Sequence, residues 1–239
     1  MAARCLLCYI TDRTQFRGDE PTRRRELLLK IAEAAKAGVD YIQLREKDLS
    51  AGELETLTRE ALKIIRNESP LRTENRERTY LLLNSRTDIA LATGADGVHL
   101  RSDDIAPTEV RQMLAHDERR ERRERREQRP LPANHFLIAA SCHTAAEILR
   151  AESEQADFAV FAAVFGKKIS GGISAPGAQP AGLAALREAC PAKIPVLALG
   201  GVTLENAASC LDAGAAGVAG IRLFQENKIE EVVRALRPL

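Results

Sequence analysis

The sequence predicts an α/β protein that folds as one (β/α)8 barrel, the TIM-barrel class, over residues 1–239. Short apolar or β-branched runs alternate with longer amphipathic segments eight times, and one helix-to-strand connection recurs along the chain. With 239 residues, of which 45% are hydrophobic, the chain is long enough for a single core of that size. A doubly wound open sheet has the same alternation, so periodicity alone leaves that alternative open.

Each element is predicted from the period of its apolar residues. The predicted strands are Cys5–Thr11, Val39–Leu44, Thr79–Leu83, Gly97–Leu100, Phe136–Ser141, Phe158–Phe161, Ile194–Leu199 and Gly217–Ile221. The predicted helices are Arg23–Ala37, Ala51–Arg66, Thr87–Ala92, a helix from Thr108 onward, Ala145–Ala151, Gly182–Ala189, Leu204–Ala213 and Lys228–Leu236. Gly38 is placed to end the first helix, and the run Thr203–Asn206 resembles an N-terminal cap.

A small helix end, a glycine turn and a strand start follow one another at 37–40, 93–98 and 213–218. A ring of equivalent units would use the same connection repeatedly, and the repeat therefore favours the closed barrel. In such barrels the chemistry lies where the strands end and the βα loops begin. We therefore expect the functional residues at the strand ends.

Composition narrows the possible functions. A formal net charge of +1 gives no global field for nucleic acid or an acidic membrane, so an anion must be bound by a local cluster. No apolar run approaches the roughly 20 residues of a membrane span, and we expect a cytoplasmic protein without membrane or nucleic-acid partners. Five scattered cysteines argue against a disulfide framework, and Cys5 and Cys8 fit core filling better than a metal pair.

The second predicted strand ends in a charged tip. Side chains alternate faces along a strand, so Gln43, Arg45 and Lys47 are expected on one side. An amide and two cations in one line can bind a polyanion. A strand that ends in solvated charge is the alternative interpretation.

The third and fourth strand ends carry further polar groups. Asn84 follows the third strand, and Asp103 and Asp104 follow the fourth. One of these carboxylates can hold a Mg²⁺ whose other positions go to water and phosphate oxygens. Capping of the next helix is the alternative role for the aspartates.

At the fifth strand end, alternation places Ser141 and His143 on one face and Cys142 on the other, which argues against a Cys–His nucleophile. His143 can serve as a proton shuttle or can simply bond a backbone carbonyl. The loop after the sixth strand carries Lys167 and Lys168, which can close over a phosphate or form a solvated turn.

Glycines end the seventh and eighth strands. Backbone N–H groups near Gly201 and Gly220 can surround a phosphate, an arrangement that recurs in barrels. Arg222 can add a charge-assisted contact to the same group.

Taken together, these motifs resemble the thiamine-phosphate synthase family, which includes thiazole tautomerases. The segments that carry the resemblance are, in chain order, Tyr9–Asp12, Gln43–Lys47, Asn84 with Asp88–Leu91, Gly94–Leu100, Ser141 with His143 and Thr144, and Leu199–Val202 with Asn206. The resemblance implies a barrel enzyme that joins hydroxymethylpyrimidine diphosphate to a thiazole phosphate or its carboxylated form. It would give thiamine phosphate and release pyrophosphate with the help of Mg²⁺. The resemblance also suggests a homodimer.

The resemblance implies roles for individual residues as well. The groups expected to contact the two substrates are Gln43, Arg45, Lys47, Asn84, Ser141, Lys167, Lys168, Gly201, Ile221 and Arg222. Catalysis is expected to depend on Arg45, Lys47, Ser141 and His143, and the metal is expected on Asp104. Gly201, Ile221 and Arg222 would surround the thiazole phosphate, mainly through backbone groups.

Three positions differ from the family's synthase members. Ser85 stands where a metal-binding aspartate is usual, Arg101 and Ser102 replace a glycine–glutamine pair, and the loop at 166–169 lacks the usual Thr-x-Thr-Lys pattern. A serine hydroxyl carries no charge, so Mg²⁺ would be held more weakly. Two alternatives therefore stay open: a thiazole tautomerase that uses His143 without a metal, and a non-catalytic barrel that binds thiazole or thiamine phosphate.

The segment at about 116–130 has no counterpart in the resemblance. Its repeating Glu-Arg-Arg pattern predicts a charged, solvated extension of the fourth helix, at the rim opposite the strand ends. An RNA-binding arm is the alternative, but the segment lacks interleaved aromatic residues.

Overall fold

The computed structural model describes residues 4–68, 78–124, 136–166 and 179–237, with residues 117–124 described as backbone only. The strands in these residues are β1 Leu6–Ile10, β2 Tyr41–Leu44, β3 Tyr80–Asn84, β4 Gly97–Leu100, β5 Leu137–Cys142, β6 Phe158–Ala162, β7 Val196–Leu199 and β8 Gly217–Gly220. Each strand pairs in parallel with the next, and β8 pairs with β1. The predicted closed barrel is therefore confirmed, and the open sheet is excluded.

Helices follow the strands around the outside of the barrel. They are α1 Glu20–Ala37, α2 Ala51–Glu68, α3 Thr87–Thr93, α4 Pro107–Glu124, α5 Ala145–Ser153, α6 Gly182–Ala189, α7 Ala207–Asp212, α8 Arg222–Gln225 and α9 Ile229–Leu236. The sequence pattern missed α8 and a 3₁₀ turn at Arg13–Gln15, because three or four residues are too few to show a helical period. Among the described helices, none is long and apolar enough to cross a membrane.

Helix α7 begins three residues later than the sequence pattern predicted. The Asn206 side chain accepts a hydrogen bond from the Thr203 N–H at 2.8 Å and donates one to the Gly201 carbonyl at 3.0 Å. These bonds hold residues 201–206 in an irregular turn instead of a first helical turn. The turn belongs to the end of β7 rather than to the helix.

Two apolar layers stabilise the barrel. One lies inside the ring of strands and includes Cys8, Leu82 and Phe158, and the other lies between strands and helices. Cys5 belongs to the outer layer, so the two cysteines of the N-terminal strand segment face different layers, as strand alternation predicts. Burial raises the pKa of Cys8 to about 12, and this thiol stays protonated.

The recurrent helix-to-strand connection has a physical basis in its glycines. Gly38 and Gly94 end α1 and α3 with φ angles of 79° and 69°, in the left-handed region that favours glycine. Their N–H groups bond the last carbonyls of the preceding helix. The chain then turns directly into β2 and β4.

Three aspartates hold the N-terminal end of the barrel together. Asp40, Asp96 and Asp157 immediately precede β2, β4 and β6. Each carboxylate accepts a hydrogen bond from a backbone N–H of the preceding strand. The donors are Leu7, Leu81 and Ile138, the second residues of β1, β3 and β5, at 2.7, 2.8 and 2.6 Å. The arginine partners of the aspartates are Arg4 and Arg237 on Asp40, Arg78 on Asp96, and Arg111 on Asp157. We call this set the aspartate–arginine rim.

The predicted charged extension falls partly within the described residues. Helix α4 runs without interruption to Glu124 and so includes the first part of the 116–130 segment. Residues 125–130 lie outside the described residues. The solvated character of the extension stays a prediction.

Candidate active site

Polar side chains line the inside of the barrel at the C-terminal ends of four neighbouring strands. Gln43 of β2 donates from Nε2 to the Asn84 Oδ1 of β3 at 2.8 Å. His99 of β4 lies beside Asn84 in the strand register, and its Nε2 is 2.9 Å from the Ser141 Oγ of β5. We call these four residues the polar layer. It lies at the mouth of the barrel, where parallel barrels place their active sites.

Gln43 is buried, with 3% of its surface exposed, and its Oε1 has no hydrogen-bond partner among the described residues. Leaving a buried acceptor unpaired costs about 1–3 kcal/mol, and such a group in a folded protein calls for a partner. The contact with Asn84 uses one of the two Nε2 hydrogens, so Gln43 can offer a ligand a second donor as well as the unpaired Oε1. The contact expected between Gln43 and a pyrophosphate stays a prediction.

The charged tip lies just beyond β2. The strand ends at Leu44, so Arg45 and Lys47 leave the regular alternation on which the sequence prediction depended. The two cations nevertheless lie close enough to repel each other. The pKa of Lys47 is lowered chiefly by the Arg45 cation, and burial and Arg101 lower it further. In the described parts of the chain, neither the Arg45 guanidinium nor the Lys47 ammonium makes an ion pair or a side-chain hydrogen bond. The mouth therefore holds two cations available to an anion.

His99 is the site residue that the sequence analysis missed. It is buried, and its pKa is lowered from 6.5 to about 4, chiefly by burial and then by the Arg45 cation, while Asp104 acts in the opposite direction. At neutral pH the imidazole is uncharged and bonds Ser141. Strand alternation was the available signal, since it places His99 and Val98 on opposite faces of β4.

Asp104 stabilises the turn formed by residues 101–104. Its Oδ2 accepts the Arg101 N–H at 2.7 Å, and its Oδ1 is 3.6 Å from the Arg101 Nε. The Arg101 guanidinium also pairs with Asp103 at 3.0 Å. These contacts close the turn that precedes α4 and do not cap the helix, which was the alternative role expected of the aspartates. They also pair the carboxylate expected on the metal with Arg101.

The residues present determine how a magnesium ion would be held. No three His, Cys, Asp or Glu side chains come together as a metal site within the described ranges. Ser85, at the β3 end, accepts a bond from the Asn84 Nδ2 at 3.2 Å and offers only a hydroxyl. Asp104 offers one carboxylate, which it shares with Arg101, so a Mg²⁺ held by it would depend mainly on substrate oxygens.

Ser141 and His143 occupy different surroundings. Ser141 belongs to the polar layer, whereas His143 is exposed and its Nδ1 lies 2.7 Å from the Ala162 carbonyl oxygen. The His143 N–H donates to the Glu147 carboxylate at 2.6 Å. Cys142 packs in the outer apolar layer, where burial raises its pKa to about 12. A Cys–His nucleophile is not formed here.

The ends of β7 and β8 complete the mouth. Gly200 and Gly201 have φ angles of 99° and 64°, and a Cβ added at Gly201 would lie 2.9 Å from the Gly166 carbonyl oxygen. Only glycine fits this close approach between the ends of β6 and β7. Ile221 and Arg222 follow β8 directly, and α8 begins at Arg222. Lys167 and Lys168 lie outside the described residues.

The ends of β2, β5 and β7 lie at one edge of a single closed barrel. Arg45 follows β2, Ser141 is the second-last residue of β5, and Gly201 follows β7. The structure brings together Gln43 with Asn84 and His99 with Ser141 through direct contacts. Arg45 lies close enough to both Lys47 and His99 to lower their pKa values. Within the described residues, the strand ends that carry the groups expected to hold two phosphorylated substrates share one mouth.

Comparison with known proteins agrees with this geometry. The family model described as "Thiamine monophosphate synthase" matches residues 7–119 and 120–224. The chain belongs to the thiamine monophosphate synthase family. Together with relatives named thiamine-phosphate synthase, this membership indicates a transferase of thiamine biosynthesis.

Individual relatives match over nearly their whole length. A protein of Aquifex aeolicus, provisionally named as a second thiamine-phosphate synthase, is 36% identical over 218 residues, covering 91% of this chain and 96% of its own. The thiamine-phosphate synthase of Chlorobium luteolum is 33% identical over 233 residues, covering 97% and 91%. The structure of thiamine phosphate pyrophosphorylase from Pyrococcus furiosus has a TM-score of 0.70 at 24% identity and covers 97% of this chain and 93% of its own, which supports the fold.

Proposed function

We propose that this chain condenses hydroxymethylpyrimidine diphosphate with thiazole phosphate or its carboxylated form, giving thiamine phosphate and pyrophosphate. One observation carries the proposal: Arg45 and Lys47 stand without ion-pair partners among the described residues, next to the polar layer at the mouth. Pairing these cations with a substrate diphosphate would satisfy their charge. Family membership supports the same reaction.

The chemistry follows from where charge develops. When the C–O bond to the diphosphate breaks, negative charge grows on the leaving oxygens and the pyrimidine methylene becomes a stabilised carbocation. Arg45 and Lys47 would stabilise the leaving group in the transition state. His99 stays neutral beneath them, so no further positive charge faces the carbocation. The thiazole nitrogen then attacks the methylene carbon and forms the new C–N bond.

The polar layer would orient the pyrimidine. The free Oε1 of Gln43 is a buried acceptor and suits an amino group on the ring. Asn84 and Ser141 are already held by Gln43 and His99, so their remaining hydrogen-bonding capacity is fixed in direction. Such preorganised groups bind a transition state without reorganising.

The thiazole phosphate would lie at the ends of β7 and β8. Gly201 allows the end of β7 to pack closely against the Gly166 carbonyl, and the Asn206 side chain fixes the turn that follows. Ile221 and Arg222 follow the neighbouring strand. This arrangement supports a phosphate subsite that is separate from the Arg45 and Lys47 cations of β2.

Magnesium belongs to the proposal as a weakly held ion. Asp104 would contribute its carboxylate, and the substrate diphosphate would contribute most of the other ligands. When bound, the ion would offset negative charge on the departing diphosphate. Competition from the Arg101 guanidinium for Asp104 favours a higher magnesium requirement than a site with two carboxylates would show.

One experiment separates the candidate activities. Purified protein is incubated with both phosphorylated halves, and separately with the non-aromatic carboxythiazole phosphate, each with and without Mg²⁺. We expect thiamine phosphate and pyrophosphate in equal amounts, increasing with Mg²⁺ concentration. Metal-independent aromatisation that is lost in His143→Ala would instead identify a tautomerase. Ligand binding without turnover would identify a binding barrel, and either result would overturn the proposal.

Other properties stay predictions from the sequence. They are a cytoplasmic location, a homodimer and the absence of nucleic-acid binding by the arginine-rich segment. Cell fractionation, light scattering of the purified protein and a gel-shift assay with RNA test them in turn.

A further inference from the structure

The residue between the two cations of the tip points away from the mouth and is buried. Glu46 has a side chain that is 1% exposed, and its Oε1 accepts a hydrogen bond from the Thr11 hydroxyl at 2.6 Å. Its Oε2 accepts the Arg13 N–H at 3.0 Å and lies 3.1 Å from the Arg13 Nη1. A carboxylate thus joins the tip after β2 to the chain that follows β1.

The Thr11 hydroxyl has a second contact. While it donates to Glu46, it accepts the backbone N–H of Arg45 at 2.9 Å. The Thr11 backbone N–H in turn bonds the Gln43 carbonyl at 3.0 Å, as an extension of the strand pairing. One hydroxyl therefore fixes the peptide unit from which the Arg45 side chain departs.

Arg13 fixes the other side of the tip. Its side chain is 4% exposed and pairs with Asp48 at 2.7 Å as well as with Glu46. Because Asp48 directly follows Lys47, the backbone is held on both sides of the two cations. Burial raises the pKa of the Glu46 carboxyl, whereas the bonds from Thr11 and Arg13 favour its charged form.

This network lies beneath cations that have no ion-pair partner of their own in the described residues. A guanidinium held only by solvent would lose rotational freedom when it binds a diphosphate, and that loss would weaken binding. The bond to the Arg45 N–H leaves the side-chain torsions free, but it fixes the backbone from which the guanidinium extends, so no backbone freedom is lost when the substrate binds. The network therefore bears on diphosphate binding as well as on stability.

We propose that Thr11, held by Glu46, is a positioning residue that preorganises Arg45 for the diphosphate. The inference rests on the proposed function, since it needs Arg45 to bind that group. Thr11 does not contact the substrate in this proposal; it acts through the backbone of Arg45.

The test compares Thr11→Val with Thr11→Ser. Valine keeps the shape but loses both hydrogen bonds, whereas serine retains the hydroxyl. For Thr11→Val we expect the Kd for inorganic pyrophosphate and the KM for the pyrimidine diphosphate to rise about tenfold, the effect of one lost bond to a fixed charged group. The KM for the thiazole phosphate should stay unchanged, and Thr11→Ser should restore binding to within about threefold of the unmodified protein.

Matched controls separate positioning from general destabilisation. Thr58 is also buried, and its hydroxyl bonds the Leu54 carbonyl within α2 and takes no part in the Thr11–Glu46 network, so Thr58→Val removes a comparable hydroxyl. Thr58→Val should leave the Kd for pyrophosphate unchanged. Thr11→Ala is measured alongside, so that the result does not depend on one variant folding, and thermal unfolding of every variant is recorded.

Each outcome has one meaning. Equal pyrophosphate affinity in Thr11→Val, Thr11→Ala and the unmodified protein would overturn the positioning role while leaving the synthase activity intact. An equal rise in Kd for Thr58→Val would do the same, because it would show that stability alone matters. If the unmodified protein binds pyrophosphate but makes no thiamine phosphate, the proposed function fails. The effect of Thr11 on anion binding is then still decided by the pyrophosphate Kd of the Thr11 variants. No pyrophosphate binding by the unmodified protein would overturn both.

Discussion

Arg45 at the mouth differs from the arginines of the aspartate–arginine rim. At the aspartate–arginine rim, Asp40 accepts bonds from Arg4, Arg237 and the Leu7 N–H, and its side chain is only 4% exposed. At the mouth, Arg45 and Lys47 have no carboxylate partner among the described residues, although acidic side chains are nearby in sequence. The carboxylate between them, Glu46, is bonded instead to Thr11 and Arg13.

This difference separates charges whose pairing contributes to the free energy of unfolding from charges that are left for a ligand. A buried ion pair that loses one partner leaves an uncompensated charge, which is strongly destabilising. A cation at a solvent-accessible mouth costs little when unpaired, but it gives a ligand anion a place to bind. Asp40 of the rim should therefore affect mainly the free energy of unfolding, whereas Arg45 of the mouth should affect mainly activity.

The largest expected effect is at the rim. Asp40→Ala leaves Arg237 and the Leu7 N–H without their shared acceptor, and we expect the free energy of unfolding to fall by about 3–5 kcal/mol. The kcat of the molecules that stay folded should be unchanged. Urea denaturation measures the first quantity, and assays well below the unfolding midpoint measure the second. As a control, Asp88→Ala removes an exposed partner of Arg86 and should change stability by less than about 1 kcal/mol.

The reverse result is expected at the mouth. Arg45→Ala should reduce kcat/KM for thiamine phosphate formation by about 10²–10³-fold, because a preplaced positive group is lost from the leaving diphosphate. The free energy of unfolding should change by less than about 1 kcal/mol, since Arg45 has no ion pair with any residue that the structure describes. Arg59→Ala, which breaks an exposed pair with Glu55 on α2, should alter neither quantity measurably. A large loss of stability in Arg45→Ala would show that the two ends do not divide these roles.

The barrel could be predicted from the sequence because the patterns that indicate it lie within short segments of the chain. Apolar periods and the glycine connections at Gly38 and Gly94 recur within a few residues, and they were enough to place all eight strands to within about two residues. The same strand ends identified Gln43, Asn84 and Ser141, which the structure brings to one mouth.

The contacts that give those residues their roles are not local. The Thr11–Glu46 bond spans 35 residues and the His99–Ser141 contact spans 42, so no sequence window contains both partners. Strand alternation can place His99 inside the barrel, but it cannot show that burial and Arg45 keep it neutral. The pairing of Arg101 with Asp104 likewise depends on the shape of one turn.

The smallest effect concerns His99, the buried neutral group beneath the cations. Its pKa is about 4 in the fold and 6.5 in the unfolded chain, so the unfolded chain binds a proton that the folded state rejects. The stabilising contribution is fully present above pH 6.5 and is lost as the pH falls from there to about 4. Between pH 8 and pH 5 the loss from this group should be about 2 kcal/mol.

Other carboxylates also titrate at low pH, so the measurement must isolate His99. His99→Gln keeps a group that can bond Ser141 but does not titrate, and the difference between the pH dependences of the unmodified and variant unfolding free energies gives the contribution of His99 alone. We expect the unmodified protein to lose about 2 kcal/mol more than the variant between pH 8 and pH 5. Parallel curves would mean that the fold does not lower the pKa of His99. The imidazole would then gain its proton near pH 6.5 in the fold as well, and a third cation would join Arg45 and Lys47 below that pH.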